Sequence, residues 1–171
     1  EFFKAKSEEP FLAVVGFFEA HRVFTEGNAC RGEVRVPYHL PEHPDVRTDV
    51  NNLNWDVEAM DAAFGRILSS IDDAGLRDNT LVIYTTDHGI AFPGAKSTLF
   101  KPGVEISLIA RGPGGFDGGR RISALVSNID VFPTLMELIG IEGHDTVEGK
   151  SLLPLVRGEA EKVNEAVFVE Q

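Results

Sequence analysis

The chain has 171 residues, 43% hydrophobic and 25% charged, which suits a globular domain with a real core and excludes disorder as the default. Sixteen basic against 27 acidic side chains leave a net charge of −11, which excludes nucleic acid and anionic membrane as general partners, though a local cation or metal ion can still hold a small anion. A single cysteine, Cys30, excludes an intrachain disulfide and leaves the redox compartment open, and no stretch reaches the ~20 apolar residues of a membrane helix.

The opening "EFFKAKSEEP" lacks the basic start and apolar run of a signal peptide and reads as a loop from the middle of a longer protein. "FLAVVGFF" (residues 11–18) predicts a strand covered on both faces, with His21 just beyond its end. Residues 25–49, rich in proline and glycine, are expected to form a long functional loop. Leu53, Val57, Met60, Phe64, Ile67, Leu68 and Ile71 recur at steps of three and four, so they predict one apolar face of a helix. Gly75 is the expected C-cap and Asp78-Asn79 a turn. "TLVIYTT" then predicts a second strand, and strand–helix–strand order suggests a parallel pair joined by a right-handed crossover.

"VEISLIARGP" is a further strand and "RISALVSNID" a third candidate. "VFPTLMELIG" predicts a helix with Pro133 in its first turn and Gly140 at its end. "SLLPLVRGE" suggests another helical turn or two, and "AVFVEQ" the beginning of a strand. The fold class is α/β with an open, mainly parallel sheet, in which ligands bind beyond the carboxyl ends of the strands. His21 and the pair Asp87-His88 stand at such ends.

Side chains at 87 and 88 would point to opposite faces of a regular strand. They converge on one ligand only if the strand stops at Asp87 and the backbone swings, a freedom Gly89 supplies. A carboxylate and an imidazole that meet make a pair of metal ligands; the bland alternative is a turn cap beside a solvated histidine. His21 offers a hydrogen bond or a proton to an anion, and Lys96 a point charge for an oxyanion, although each residue type is more often simply solvated. Lys101 has no obvious role. His39, His43 and His144 are expected in solvent, and Cys30 lies in no nucleophile motif.

Five blocks in order, "PFLAVVGFFEAHRVF", "LRDNTLVIYTTDHG", "GAKSTLFKPGVEISLIARGPG", "NIDVFPTLMELIGI" and "GKSLLPLVRGE", resemble the sulfatase family of the alkaline phosphatase superfamily. Within it, "DHGIAFPGAKSTLFKPGVE" together with "VPYHLPEHPDVRTD" is most similar to the heparan N-sulfatase (sulfamidase) group. The resemblance implies an alkaline-phosphatase-like, mainly parallel sheet flanked by helices and incomplete in this chain. Residues 1–150 would be the C-terminal part of the catalytic domain, and residues 151–171 the start of a smaller C-terminal subdomain. It implies that Asp87 and His88 bind calcium, with zinc the alternative ion, and that His21 and Lys96 contact the sulfate, Lys96 also the leaving oxygen. A sulfated small molecule or glycan would be the substrate, and a periplasmic, secreted or lysosomal setting follows from the resemblance alone.

The family makes its formylglycine nucleophile from a Cys/Ser-x-Pro-x-Arg motif, which this sequence does not contain. "IDDAG" is not the early aspartate pair that completes the calcium site. Both pieces are expected in an N-terminal part of the catalytic domain, which becomes a required partner, and the chain alone is expected to be inactive. Two rivals stand beside this reading. A zinc phosphodiesterase or nucleotide pyrophosphatase of the same superfamily would need an Asp-x-x-x-His pair, and no aspartate here has a histidine four residues later. A non-catalytic sulfatase-like binding module would need no nucleophile.

Overall fold

The computed structural model describes residues 1–5, 9–141, 143 and 145–170; His144 lies outside the described residues. The chain forms two compact units. One comprises Glu1–Arg77 with Ala91–Gly94, the other Asp78–Ile90 with Ala95–Gln171.

The first unit is built on a helix longer than its apolar spacing indicates. After a one-turn helix α1 (Phe2–Ala5), the chain runs without regular structure to helix α2 (Pro44–Asp73). The expected loop over residues 25–49 therefore ends earlier, at His43. Its last residues carry a start signal that the apolar pattern conceals: Pro44 sits in the first turn, where a missing N–H costs nothing, and the His43 side chain accepts a hydrogen bond from the Asp45 amide at 3.2 Å. His43 is thus exposed, as expected, and also serves as the N-cap.

At the other end Ala74, not Gly75, is the C-cap. Gly75 follows in the left-handed region at φ +72°, with Gly75 N–H on the Asp72 carbonyl (3.0 Å) and Leu76 N–H on the Ile71 carbonyl (3.1 Å). That is a Schellman ending, closed by the buried side chains of Ile71 and Leu76.

The loop before α2 takes its order from the polar side of that helix. Asp56, buried, accepts from the Thr25 amide at 3.1 Å, Asn51 from Cys30 at 3.0 Å, and Glu58 from Arg31 at 2.7 Å. The Asn51 amide donates to the Asn28 carbonyl at 2.6 Å and Arg47 to that of Val34 at 2.9 Å. Main-chain groups of an irregular segment are thereby satisfied without a sheet. The Cys30 thiol is half-buried and lies 3.4 Å from the Gly32 carbonyl.

The predicted strand at residues 11–18 does not form. The segment is irregular, with Leu12, Val14, Val15 and Phe18 all exposed. A strand needs a neighbour to take up its N–H and C=O groups, and among the described residues no segment pairs with this one.

In the second unit a 3-10 turn (Arg77–Asn79, begun in the first unit) leads into β1 (Val82–Thr85), which pairs with β2 (Leu108–Arg111). The pairing is antiparallel, Val82 opposite Arg111 and Thr85 opposite Leu108, and is the sole strand pair among the described residues. The expected parallel crossover is accordingly absent, since its first strand is missing. Gly112 closes β2 where nothing larger fits: a Cβ there would come within 2.6 Å of Leu81 Cα.

Residues 121–127, the third candidate strand, carry no regular structure, and neither do residues 166–170. Helices α3 (Lys101–Val104), α4 (Val131–Leu138) and α5 (Leu153–Arg157) complete the unit. Its core joins Phe116, Leu153 and Val156 to Leu81, Ala110 and Leu138, so α5 packs beneath the paired strands. The buried Asp130 carboxylate accepts from Ser127 N–H, Lys150 N–H and the Asn164 amide, each at 2.8 Å, which ties the chain beyond α4 back to its start.

Candidate functional site

Asp87 and His88 follow β1 after one residue, Thr86, so the strand does stop before them. The Asp87 carboxylate folds back to accept from the His88 amide at 2.9 Å, and the His88 Nε2 lies 3.4 Å from Asp87 Oδ2. Adjacent side chains that would diverge in a strand here share one corner.

The cause of the turn differs from the sequence expectation. Gly89 is not among the glycines with positive φ. It is required because a Cβ would lie 1.8 Å from the Pro102 carbonyl oxygen, where Gly89 N–H donates to the Gly103 carbonyl at 2.9 Å. Close backbone approach, not left-handed freedom, selects glycine. Gly103 obeys the same rule, since its Cβ would meet the Ala95 and Thr98 carbonyls at 2.4 and 2.5 Å.

His88 Nδ1 lies 2.7 Å from the Gly89 carbonyl, a contact that requires a proton on Nδ1 and leaves Nε2, 3.4 Å from the Asp87 carboxylate, as the nitrogen that would meet a ligand in the neutral ring. This is the hydrogen bond by which a metal-ligating histidine commonly fixes its tautomer. The Asp87 side chain is 84% exposed, so its oxygens are open to a ligand. The pair therefore fits two positions around a divalent ion. Among the described residues, no group of three or more His, Cys, Asp or Glu side chains is arranged to hold a metal.

Lys96 belongs to the same unit. Its amide donates to the Ile90 carbonyl at 3.0 Å, and the next residue, Ser97, holds φ +61°, an uncommon conformation for a side-chain-bearing residue. Among the described residues the Lys96 ammonium has no ion-pair partner. Lys101, by contrast, is 3.6 Å from Glu105 one turn along.

Sequence reasoning missed Asn128. Its side-chain oxygen accepts from Thr85 Oγ1 at 2.8 Å and its amide donates to the Thr86 carbonyl at 3.0 Å, while Thr85 Oγ1 also lies 2.9 Å from the Ser107 carbonyl. Asn128 thus pins the carbonyl immediately before Asp87. The signal available was a polar residue opening "NID" between apolar stretches.

His21 lies in the first unit, in an exposed bend. Its Nδ1 is 2.5 Å from the Arg22 carbonyl and its ring 5.4 Å from that of Phe18. His39, expected in solvent, has both ring nitrogens buried without a hydrogen-bond partner among the described residues, and its ring is edge-on to Tyr38 at 5.5 Å.

A family model described as Sulfatase matches residues 1–141. The chain belongs to the sulfatase family. Human N-sulphoglucosamine sulphohydrolase is 30% identical over 207 aligned positions that cover all of this chain and 41% of that protein. A solved structure in complex with its substrate, D-glucosamine-2-N,6-O-disulfate, is similar at a TM-score of 0.60 and 30% identity, over 70% of this sulfatase-family chain and 24% of that one. A phosphonate monoester hydrolase from Silicibacter pomeroyi gives 0.55 and 28%, over 68% and 22%. The sulfatase-family chain thus spans about two-fifths of the human relative. These likenesses place it in the alkaline-phosphatase-like α/β class, as a partial fold with a small sheet.

Proposed function

We propose that the whole protein hydrolyses a sulfate ester or N-sulfate on a sugar, with this chain supplying part of the metal and anion site. The reading is carried by the Asp87–His88 pair, a carboxylate and a tautomerically fixed imidazole 3.4 Å apart at a strand end, within a sulfatase-family sequence whose relatives include a sulphoglucosamine sulphohydrolase.

Asp87 and His88 would hold calcium, which would supply positive charge to the sulfate oxygens. Calcium takes six to eight, chiefly oxygen, ligands, so the remaining ones would come from the N-terminal part of the catalytic domain, together with the formylglycine nucleophile. Lys96, without an ion-pair partner among the described residues, would neutralise charge that develops on the sulfate and on the leaving oxygen or nitrogen. With Nδ1 engaged on its own main chain, His21 would present Nε2 to the anion and could donate from it only as the imidazolium. Alone, the chain would bind substrate poorly and turn nothing over. Residues 151–171 would open the smaller C-terminal subdomain.

In the full-length protein, Lys96→Ala is expected to lower the rate of sulfate release from N- or O-sulfated glucosamine by at least ~100-fold, comparable to loss of an oxyanion donor. Near-normal turnover rejects the role of Lys96. Asp87→Asn should abolish the dependence of turnover on added divalent ion.

One observation favours a second reading. An imidazole suits zinc better than calcium, and the similarity to a phosphonate monoester hydrolase extends over 68% of the chain. A zinc-dependent phosphodiester or phosphonate ester hydrolase would show tight, stoichiometric zinc and faster release of phosphate or phosphonate esters than of sulfate.

A further inference from the structure

Arg22 contacts four residues of its own unit. Its Nε donates to the Ala91 carbonyl at 2.7 Å and its Nη2 to Asp49 Oδ2, on helix α2, at 2.5 Å. The guanidinium also lies over two rings, 4.5 Å from the centroid of Phe24 and 4.8 Å from that of Phe92. Both rings are buried, 3% and 5% exposed, and 5.8 Å apart. One side chain therefore holds three segments: its own bend, the helix, and the Ala91–Gly94 loop. A planar fork with charge spread over its face can stack and donate in two directions together; a lysine ammonium cannot.

These contacts touch the chemistry through the chain. The Arg22 carbonyl is the group 2.5 Å from His21 Nδ1, so a displaced Arg22 displaces the imidazole. Phe92 sits midway in sequence between His88 and Lys96. We propose that Arg22 is a positioning residue: within its own unit it locks the His21 bend and the Ala91–Gly94 loop into one arrangement. Its consequence for turnover rests on the proposed sulfate hydrolysis, while the lock itself does not. The Arg22 and Asp49 side chains are 39% and 37% exposed, and such ion pairs contribute little to global stability. Loss of Arg22 should therefore loosen geometry more than it lowers the melting temperature.

The test uses the full-length protein with Arg22→Ala, Arg22→Lys and Asp49→Asn. Hydrogen exchange is expected to quicken at least ~10-fold in Arg22→Ala at residues 19–25 and at residues 90–94 together, with the rear half of α2 unchanged. On sulfated glucosamine, kcat/KM should fall ~10–100-fold, mostly through KM, since a small misplacement of binding groups costs that much. Arg22→Lys should restore less than half of either loss, and Asp49→Asn, which keeps the stacking and the Ala91 bond, should show the smallest change.

Unchanged exchange in either segment of a folded Arg22→Ala protein overturns the lock. Faster exchange with unchanged KM and kcat overturns the positioning role. If Arg22→Ala does not fold, the Lys and Asn variants decide by the same readouts. A wild-type protein inert toward sulfated glucosamine sinks the hydrolase reading alone, because exchange still decides the lock.

Discussion

Two apolar segments of this chain look alike in sequence and end differently. "FLAVVGFF" at residues 11–18 and "LVIYTT" at residues 81–86 each have the composition of a buried strand. The second pairs with Leu108–Arg111, rests on Leu153 and is pinned at its end by Asn128. The first has no strand partner among the described residues, and Val14 stands 88% exposed. β-propensity describes a fit to a pleated, half-buried surface; where no neighbour supplies that surface, apolar residues alone do not make a strand. The same limit applies to α2, whose apolar stripe is buried at Val50, Leu53 and Ile71 but open at Val57, 40% exposed.

Three substitutions sharpen the contrast. The largest effect is expected for Leu153→Ala, which opens a cavity under the paired strands where the side chain is fully buried. A loss of about 2–5 kcal/mol in urea unfolding is predicted, and a loss below about 1 kcal/mol would mean that α5 does not support the sheet. Asn128→Ala removes two hydrogen bonds at the end of β1. It should cost about 1–3 kcal/mol and, more tellingly, free the exchange of the Asp87 and His88 amides.

Val14→Asp is predicted to change the stability of the isolated chain by less than about 0.5 kcal/mol, because an exposed site has little to lose. If the same substitution in the full-length protein costs several times more, residues 11–18 are covered there. Equal and small effects in both would show that the segment is never a strand.

Much of the site was legible. A strand running into Asp-His-Gly, with Lys96 in the loop beyond, placed a carboxylate, an imidazole and a cation in one neighbourhood of the chain, and Asp87 and His88 do meet. The reason for Gly89 was not legible, because it lies in a carbonyl of Pro102 that only packing brings near. Asn128 and Arg22 were missed for the same reason: their partners are distant in sequence, and single polar residues carry no periodicity. His43 is exposed as expected, but its capping role was missed although Pro44 marked the helix start, since the apolar pattern begins only further along.

The sequence by itself determined the class of molecule: an acidic α/β chain with sulfatase-family blocks in order, a long amphipathic helix, and a carboxylate–imidazole pair at a strand end. Those features are local, set by spacing, turn chemistry and composition. Only the tertiary structure decided that the strands run antiparallel, that one strand-like segment is not a strand, that backbone crowding makes Gly89 obligatory, and that a single guanidinium joins three segments. Each of these depends on which groups lie opposite one another in space, and a hydrogen bond or a clash is settled by that distance alone.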